Sequence, residues 1–369
     1  FLRDLGVRIP VTGTNWASQL YDLPALASTD FIDQHIYVKG DSADADFRTS
    51  PFKAATTLQS QSFARVKGMP FVVSEWNMDY PKEYRAEYPL TFAAIAAYQG
   101  WNATILYDYS HDTWVQSFLH HPNDVVIDPA RITLLPAAAL LFRSAVKPAG
   151  ESRTLKVSEE ELYTAHYKPE DMLAYRTGLW QHRLSLSWNN KDDGISPLTN
   201  LMPFQAADVK SADGQLFWDW QDGYRLIDTP TAQAAVGTGS GNIRKTNDIS
   251  FRIDNEFFAG AVISPGSNAA PINKADKLFI FITSKADNHH SLSDVELTDS
   301  IKYSGSARIM SEIITGSILI RNSNKEVKYR TILPSGKTGK SGSLSRSGEY
   351  WVLPLNRDDR AFMYEVSSN

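Results

Sequence analysis

Residues 70–79 read "PFVVSEWNMD". The run is apolar and β-branched up to Val73, then breaks into Ser74, Glu75, Trp76 and Asn77. A short apolar run after a proline predicts a buried strand. Its ending raises a question, because a carboxylate and an indole side by side continue a buried strand poorly. A plain answer is that strands end at surfaces, where a carboxylate caps a turn or pairs with an arginine. The flanking sequence points elsewhere.

On both sides, β-like runs alternate with helical ones. Strands are predicted at 8–16 ("RIPVTGTNW"), 30–38 ("DFIDQHIYV"), 70–77 and 102–110 ("NATILYDYS"). Helices are predicted at 23–28, 50–68, 88–100, where Gly100 closes an Ala-rich run, and 131–146, with a kink at Pro136. Near-continuous apolar strands separated by helices signal parallel βαβ units, and four in succession fit a TIM-like barrel or a doubly wound sheet. Near Lys147 the pattern changes. Short alternating runs follow, among them "RLSLSWNN" (183–190), "KLFIFITS" (277–284), "VKYRTIL" (327–333) and "AFMYEV" (361–366), separated by Gly/Ser turns. Residues 147–369 are therefore expected to form an antiparallel β-sandwich, and residues 1–146 a separate α/β domain.

Composition narrows the function. The chain has 369 residues, a hydrophobic share of 42% and a charged share of 21%, which suits a globular protein with a large core. The net charge is −5, and no long Lys/Arg block suggests a nucleic-acid surface. No apolar run approaches the roughly 18 residues of a membrane span. Cysteine is absent, which excludes disulfides, thiolate metal sites and cysteine nucleophiles. No glycine-rich phosphate loop and no G-x-S-x-G elbow is present. The pairs His120-His121 and His289-His290 sit in polar loops and read as solvated, so no metal and no cofactor is expected.

In a parallel α/β barrel the working residues stand at the C-terminal ends of the strands. Those ends here carry Thr14, Asn15 and Trp16; His35 and Tyr37; Glu75, Trp76 and Asn77; and Tyr107, Asp108 and Tyr109, with Ser110, His111 and Trp114 following. Aromatic faces suit the C–H faces of sugar rings, and amides and imidazoles suit sugar hydroxyls.

On these motifs, residues 1–146 resemble strands five to eight, the second half, of a clan A retaining glycoside hydrolase with a (β/α)8 barrel. The resemblance rests on "VVSEWN", "DQHIYV" and "LYDYSHDTW". It implies that Glu75 is the nucleophile, that Tyr37 hydrogen-bonds it, and that Tyr109 or Trp114 lies under the sugar. It extends weakly to "GYRLIDTPTAQAAVG" (223–237) and to "AFMYEV", which look like strands of the β-domains appended to large glycosidases. The substrate class it implies is a β-linked oligo- or polysaccharide, and the location secreted or periplasmic.

Retaining hydrolysis also needs an acid/base carboxylate about 5–5.5 Å from the nucleophile. In this clan that residue follows an asparagine on strand four. The only Asn-Glu pair is Asn255-Glu256, which reads as part of a turn or strand. The missing first half of the barrel, in the same protein or a second chain, is therefore the expected partner and the source of the acid. The chain opens "FLRDLGVRIP" without methionine, and the natural polypeptide is expected to begin earlier. The competing expectation is a catalytically inactive carbohydrate-binding or structural module.

Overall fold

The structure is a computed structural model. It describes residues 1–15, 20–38, 64–111, 121–164, 178–189, 208–266, 268–289 and 306–368, with 48, 50, 118–119, 191 and 194.

Strands β1 (Ile32–Val38), β2 (Phe71–Met78) and β3 (Ala103–Leu106) form a parallel sheet with β2 in the middle. The ladder answers the opening question. Gln34 pairs with Val73 but His35 pairs with Glu75, so β2 carries one extra residue against β1. On the other side Val73 pairs with Thr104 and Trp76 with Leu106, so β2 again has one residue more. The surplus falls at Ser74–Glu75, and the Ser74 N–H donates to Asp33 Oδ1 at 3.0 Å. A bulge of this kind exchanges the faces of the side chains beyond it. Phe71 and Val73 belong to the hydrophobic core before it, and Trp76 and Met78 after it. Trp76 has thereby taken the core side, and Glu75 has been turned away from it.

The helix Tyr88–Tyr98 covers this sheet, and all of its residues are buried. Pro89 lies in its first turn, where a missing N–H costs nothing, and Gly100 follows at φ 66°. A helix apolar on every side must be covered on every side. Its second cover is a nine-stranded antiparallel sheet, which extends from Asp208–Lys210 at one edge to Thr338–Ser343 at the other. Central strands of that sheet alternate strictly. Ala232, Ala234, Val236, Phe257, Ala259, Ala261 and Phe281 join the core shared with the helix. Ala235, Phe258, Val262, Ile280, Ile282 and Val366 face the other way, against Phe251, Ile318, Ile320, Trp351 and Leu353 of a five-stranded antiparallel sheet. The Phe251 and Phe258 rings meet there at 5.8 Å.

This architecture overturns the expected half-barrel followed by a sandwich. Strands make up 39% of the described residues and helices 18%, and the large sheets are antiparallel. Residues 8–15 form no strand: Pro10 has no N–H to donate, and the Val11 N–H goes to the Asp30 carboxylate at 2.6 Å. The expected strand 102–110 stops at Leu106. The expected helix 131–146 is two short helices, Pro129–Ile132 and Leu135–Leu140, then a wide turn over Leu141–Ala145; Pro136 opens the second instead of kinking one. Most of the expected helix 50–68 lies outside the described residues. In the β-rich part, Arg183–Ser187 pairs parallel with Ser152–Lys156. The rule that continuous apolar strands are parallel fails at Phe257–Ile263, where every residue is buried although the pairing is antiparallel. Burial on both faces produces such a run whatever the strand direction.

Contacts cross the composition change at Lys147. Arg225 pairs with Glu87 at 3.1 Å, both fully buried. Arg85 Nη2 donates to the Ala286 carbonyl at 2.6 Å, and Lys285 Nζ to Glu83 Oε1 at 2.8 Å. Among the described residues no helix is long and apolar enough to cross a membrane.

Candidate functional site

Three of the expected residues come together in the C-terminal halves of β1 and β2. The Tyr37 hydroxyl donates to Glu75 Oε2 at 2.6 Å. His35 Nδ1 lies 3.1 Å from the same oxygen. The Glu75 side chain is 30% exposed and that of His35 11%, so a molecule outside the protein can reach the carboxylate. Among the described residues no hydrogen bond falls on Glu75 Oε1. The bulge and the alternation of β1 bring about this convergence, since His35 and Tyr37 are two residues apart on one face.

Aromatic rings frame the carboxylate. Tyr37 stands edge-on to His35 (centroids 6.4 Å, 79°) and to Tyr107 (6.4 Å, 82°). Burial, and then the neighbouring Glu75 carboxylate, push the Tyr37 hydroxyl far above the usual phenol range. It therefore stays protonated and remains a donor. Tyr107 is raised as well, by burial first and then by the charges of Asp108 and Glu75. Asn15 reaches the site through its backbone, its carbonyl accepting the His35 N–H at 3.1 Å. Tyr109 is 48% exposed, and its carbonyl accepts the Val126 N–H at 3.0 Å. Trp16 and Trp114 lie outside the described residues.

Two expected sugar contacts are corrected. Trp76 is 6% exposed and stacks on Phe92 (4.4 Å, 19°), on the core side of the bulge. Asn77 is buried, and its amide is fully engaged. Its Nδ2 donates to the carbonyls of Tyr107 (2.6 Å) and Asn123 (2.7 Å), and its Oδ1 accepts from Arg131 Nη1 at 2.9 Å. Asn77 ties β2 to the segments beyond β3 and has no group to offer a hydroxyl. Asn255 is a turn brace, its amide bonding Ile313 O and Thr315 N, while Glu256 is highly exposed and lies 3.5 Å from Lys285 Nζ.

Two features go beyond the strand-end residues that the sequence marks. Tyr107, not Tyr109, is the ring against Tyr37, and the end of β3 at Leu106 is the reason. The second feature is a cluster of Asp108, His111, His121 and Asp124, with one ligand-type atom from each lying within 4.8 Å of the others. His121, expected in a solvated loop, is 24% exposed and pairs with buried Asp124 at 3.1 Å. The available signal was two Asp/His pairs at i,i+3 spacing, 108/111 and 121/124.

No protein-family model matches this chain, and no curated protein matches it.

Proposed function

We propose that the chain carries the nucleophile of a retaining glycoside hydrolase acting on a β-linked oligo- or polysaccharide, and that the nucleophile is Glu75. The observation that supports this reading most is a reachable carboxylate in the C-terminal half of β2, bonded on one oxygen by a protonated phenol and approached there by an imidazole. Both contacts fall on Oε2, which leaves Oε1 as the attacking atom. Oε1 forms a bond to the anomeric carbon as the glycosidic C–O bond breaks and the leaving oxygen takes a proton from a second carboxylic acid, which this reading assigns to a partner segment. Water then cleaves the glycosyl ester and restores the carboxylate. Tyr37 fixes the carboxylate's orientation throughout. His35 and the exposed ring of Tyr109 are the groups proposed to meet the sugar. Neither Tyr37 nor His35 is the second carboxylate this chemistry needs about 5–5.5 Å away.

A test that does not require that second group is covalent trapping. A 2-deoxy-2-fluoro glycoside with a dinitrophenolate leaving group departs without protonation, and its glycosyl ester turns over slowly. Incubation with a panel of such β-glycosides should add one sugar to the peptide containing Glu75, read by mass spectrometry. Glu75→Gln should take up none. Labelling of another residue, or of none across gluco, galacto, manno and xylo reagents, would overturn the assignment.

A further inference from the structure

We propose that Asp108, His111, His121 and Asp124 bind one divalent first-row metal ion, and that zinc suits their donors best. This inference is independent of the glycosidase reading.

The four groups come from the segment after β3 and from the segment leading into the helix Pro129–Ile132, so folding alone brings them together. His111 Nδ1 lies 3.0 Å from Asp108 Oδ2, and His121 Nδ1 3.1 Å from Asp124 Oδ1. The two imidazoles stack face to face at 4.0 Å and 15°. Two nitrogens and two carboxylate oxygens within 4.8 Å of one another make an N2O2 set. With Zn–N and Zn–O bonds of about 2.0–2.2 Å, a tetrahedral zinc site has ligand–ligand edges of about 3.3–3.5 Å. Two edges here are already near that length, and the others, within 4.8 Å, close once the stacked imidazole planes rotate apart to face one ion. One divalent ion would also balance the two carboxylate charges that the fold has gathered, and neutral imidazoles are its ordinary companions.

The plain alternative is the His111–Asp108 hydrogen bond beside the His121–Asp124 ion pair. It accounts for one oxygen of Asp108 but not for the other. Asp108 Oδ1 is buried and has no hydrogen-bond partner among the described residues. A buried carboxylate oxygen without a partner is uncommon enough to require an explanation, and an absent ion is one of the recognised ones. The Asp124 segment is also braced by hydrogen bonds from its surroundings. The His111 N–H donates to Asp124 Oδ1 at 3.0 Å, and Arg131 Nη2 donates to the Asp124 carbonyl at 2.6 Å.

The position gives the ion a consequence. His111 stands edge-on to Tyr107 at 6.2 Å, and Tyr107 edge-on to Tyr37 at 6.4 Å. An ion would pin the exit of β3 and steady the aromatic wall beside Glu75.

The experiment is calorimetric titration of the chelator-treated 369-residue chain with zinc chloride, with thermal unfolding followed in parallel. The expected result is one equivalent bound with a dissociation constant below about 10 μM, and a midpoint raised by several degrees at saturating zinc. His111→Gln, on a partly exposed side chain, and the double variant Asp108→Asn/His111→Gln should weaken binding by about 100-fold or more and abolish the thermal shift. Circular dichroism matching the parent establishes that the variants are folded. If the double variant is not folded, His111→Gln alone carries the comparison. The proposal is overturned if the parent chain binds no stoichiometric zinc below about 100 μM, or if a folded variant binds it as tightly as the parent.

Discussion

Glu75 and Asp128 are both held by short hydrogen bonds, yet their surroundings differ in every other respect. Glu75 stands 30% exposed in the C-terminal half of β2 and meets a phenol and an imidazole. Asp128 is fully buried as the N-cap of Pro129–Ile132, where it takes Arg85 Nε at 2.6 Å, Arg131 Nε at 2.6 Å and the Ala130 N–H. Burial would push the Asp128 carboxyl up, but the two guanidiniums outweigh it and hold the group below the usual carboxylate range. Two cations around one closed carboxylate serve architecture, because removing either partner leaves a buried charge. A reachable carboxylate with one uncommitted oxygen is available for chemistry. The contrast predicts that the two positions fail separately, one in turnover and the other in folding.

The largest expected effect is at Glu75. Glu75→Ala should lower turnover of any glycoside the protein cleaves by a factor on the order of 10⁴, with azide restoring part of it. Its unfolding free energy should stay within about 1 kcal/mol of the parent, since the side chain is partly exposed. A loss of stability comparable to that of a core variant would erase the contrast.

Asp128→Ala comes next. It strands two buried guanidiniums and should cost about 3–5 kcal/mol in denaturant unfolding. A cost under about 1 kcal/mol would place Asp128 with the surface pairs.

Tyr37→Phe removes one hydrogen bond to a charged acceptor, typically about 1.5–3 kcal/mol. If that bond orients the nucleophile, kcat/KM should fall about 10- to 100-fold with little change in thermal midpoint. An unchanged rate would reduce Tyr37 to a packing residue.

The smallest effect is in the pH dependence of stability. A carboxyl whose folded pKa is depressed stabilises the fold above its unfolded value, and that contribution is lost as pH falls through the folded value. Asp128 should therefore add to acid destabilisation only below about pH 4. Asp128→Asn should flatten the stability profile in that window, while Tyr37→Phe should leave it unchanged. Denaturant midpoints between pH 2.5 and 7 provide the check.

Some of this was legible in the residues alone. An apolar run and its polar end are local properties, so "VVSEWN" and "DQHIYV" mark two strands with His35, Tyr37 and Glu75 in them, although β2 runs on to Met78 past the expected break. Alternation within one strand put His35 and Tyr37 on a common side. The same local rules misplaced Trp76 and Asn77, because they assume an unbroken pleat. The bulge at Ser74 breaks that pleat, and it exists only as a count of residues against β1 and β3.

Sequence by itself determined where apolar runs begin and end, that Gly100 follows a helix, and which strands bear a carboxylate, an imidazole and a phenol. Tertiary structure alone decided which way those side chains point. It also decided that Phe257–Ile263 lies in an antiparallel sheet covered on both faces, and that Asp108, His111, His121 and Asp124 meet. The physical reason is range. Backbone preference and hydrophobic periodicity act over a few residues, whereas register, cover and loop closure depend on partners tens to hundreds of positions away.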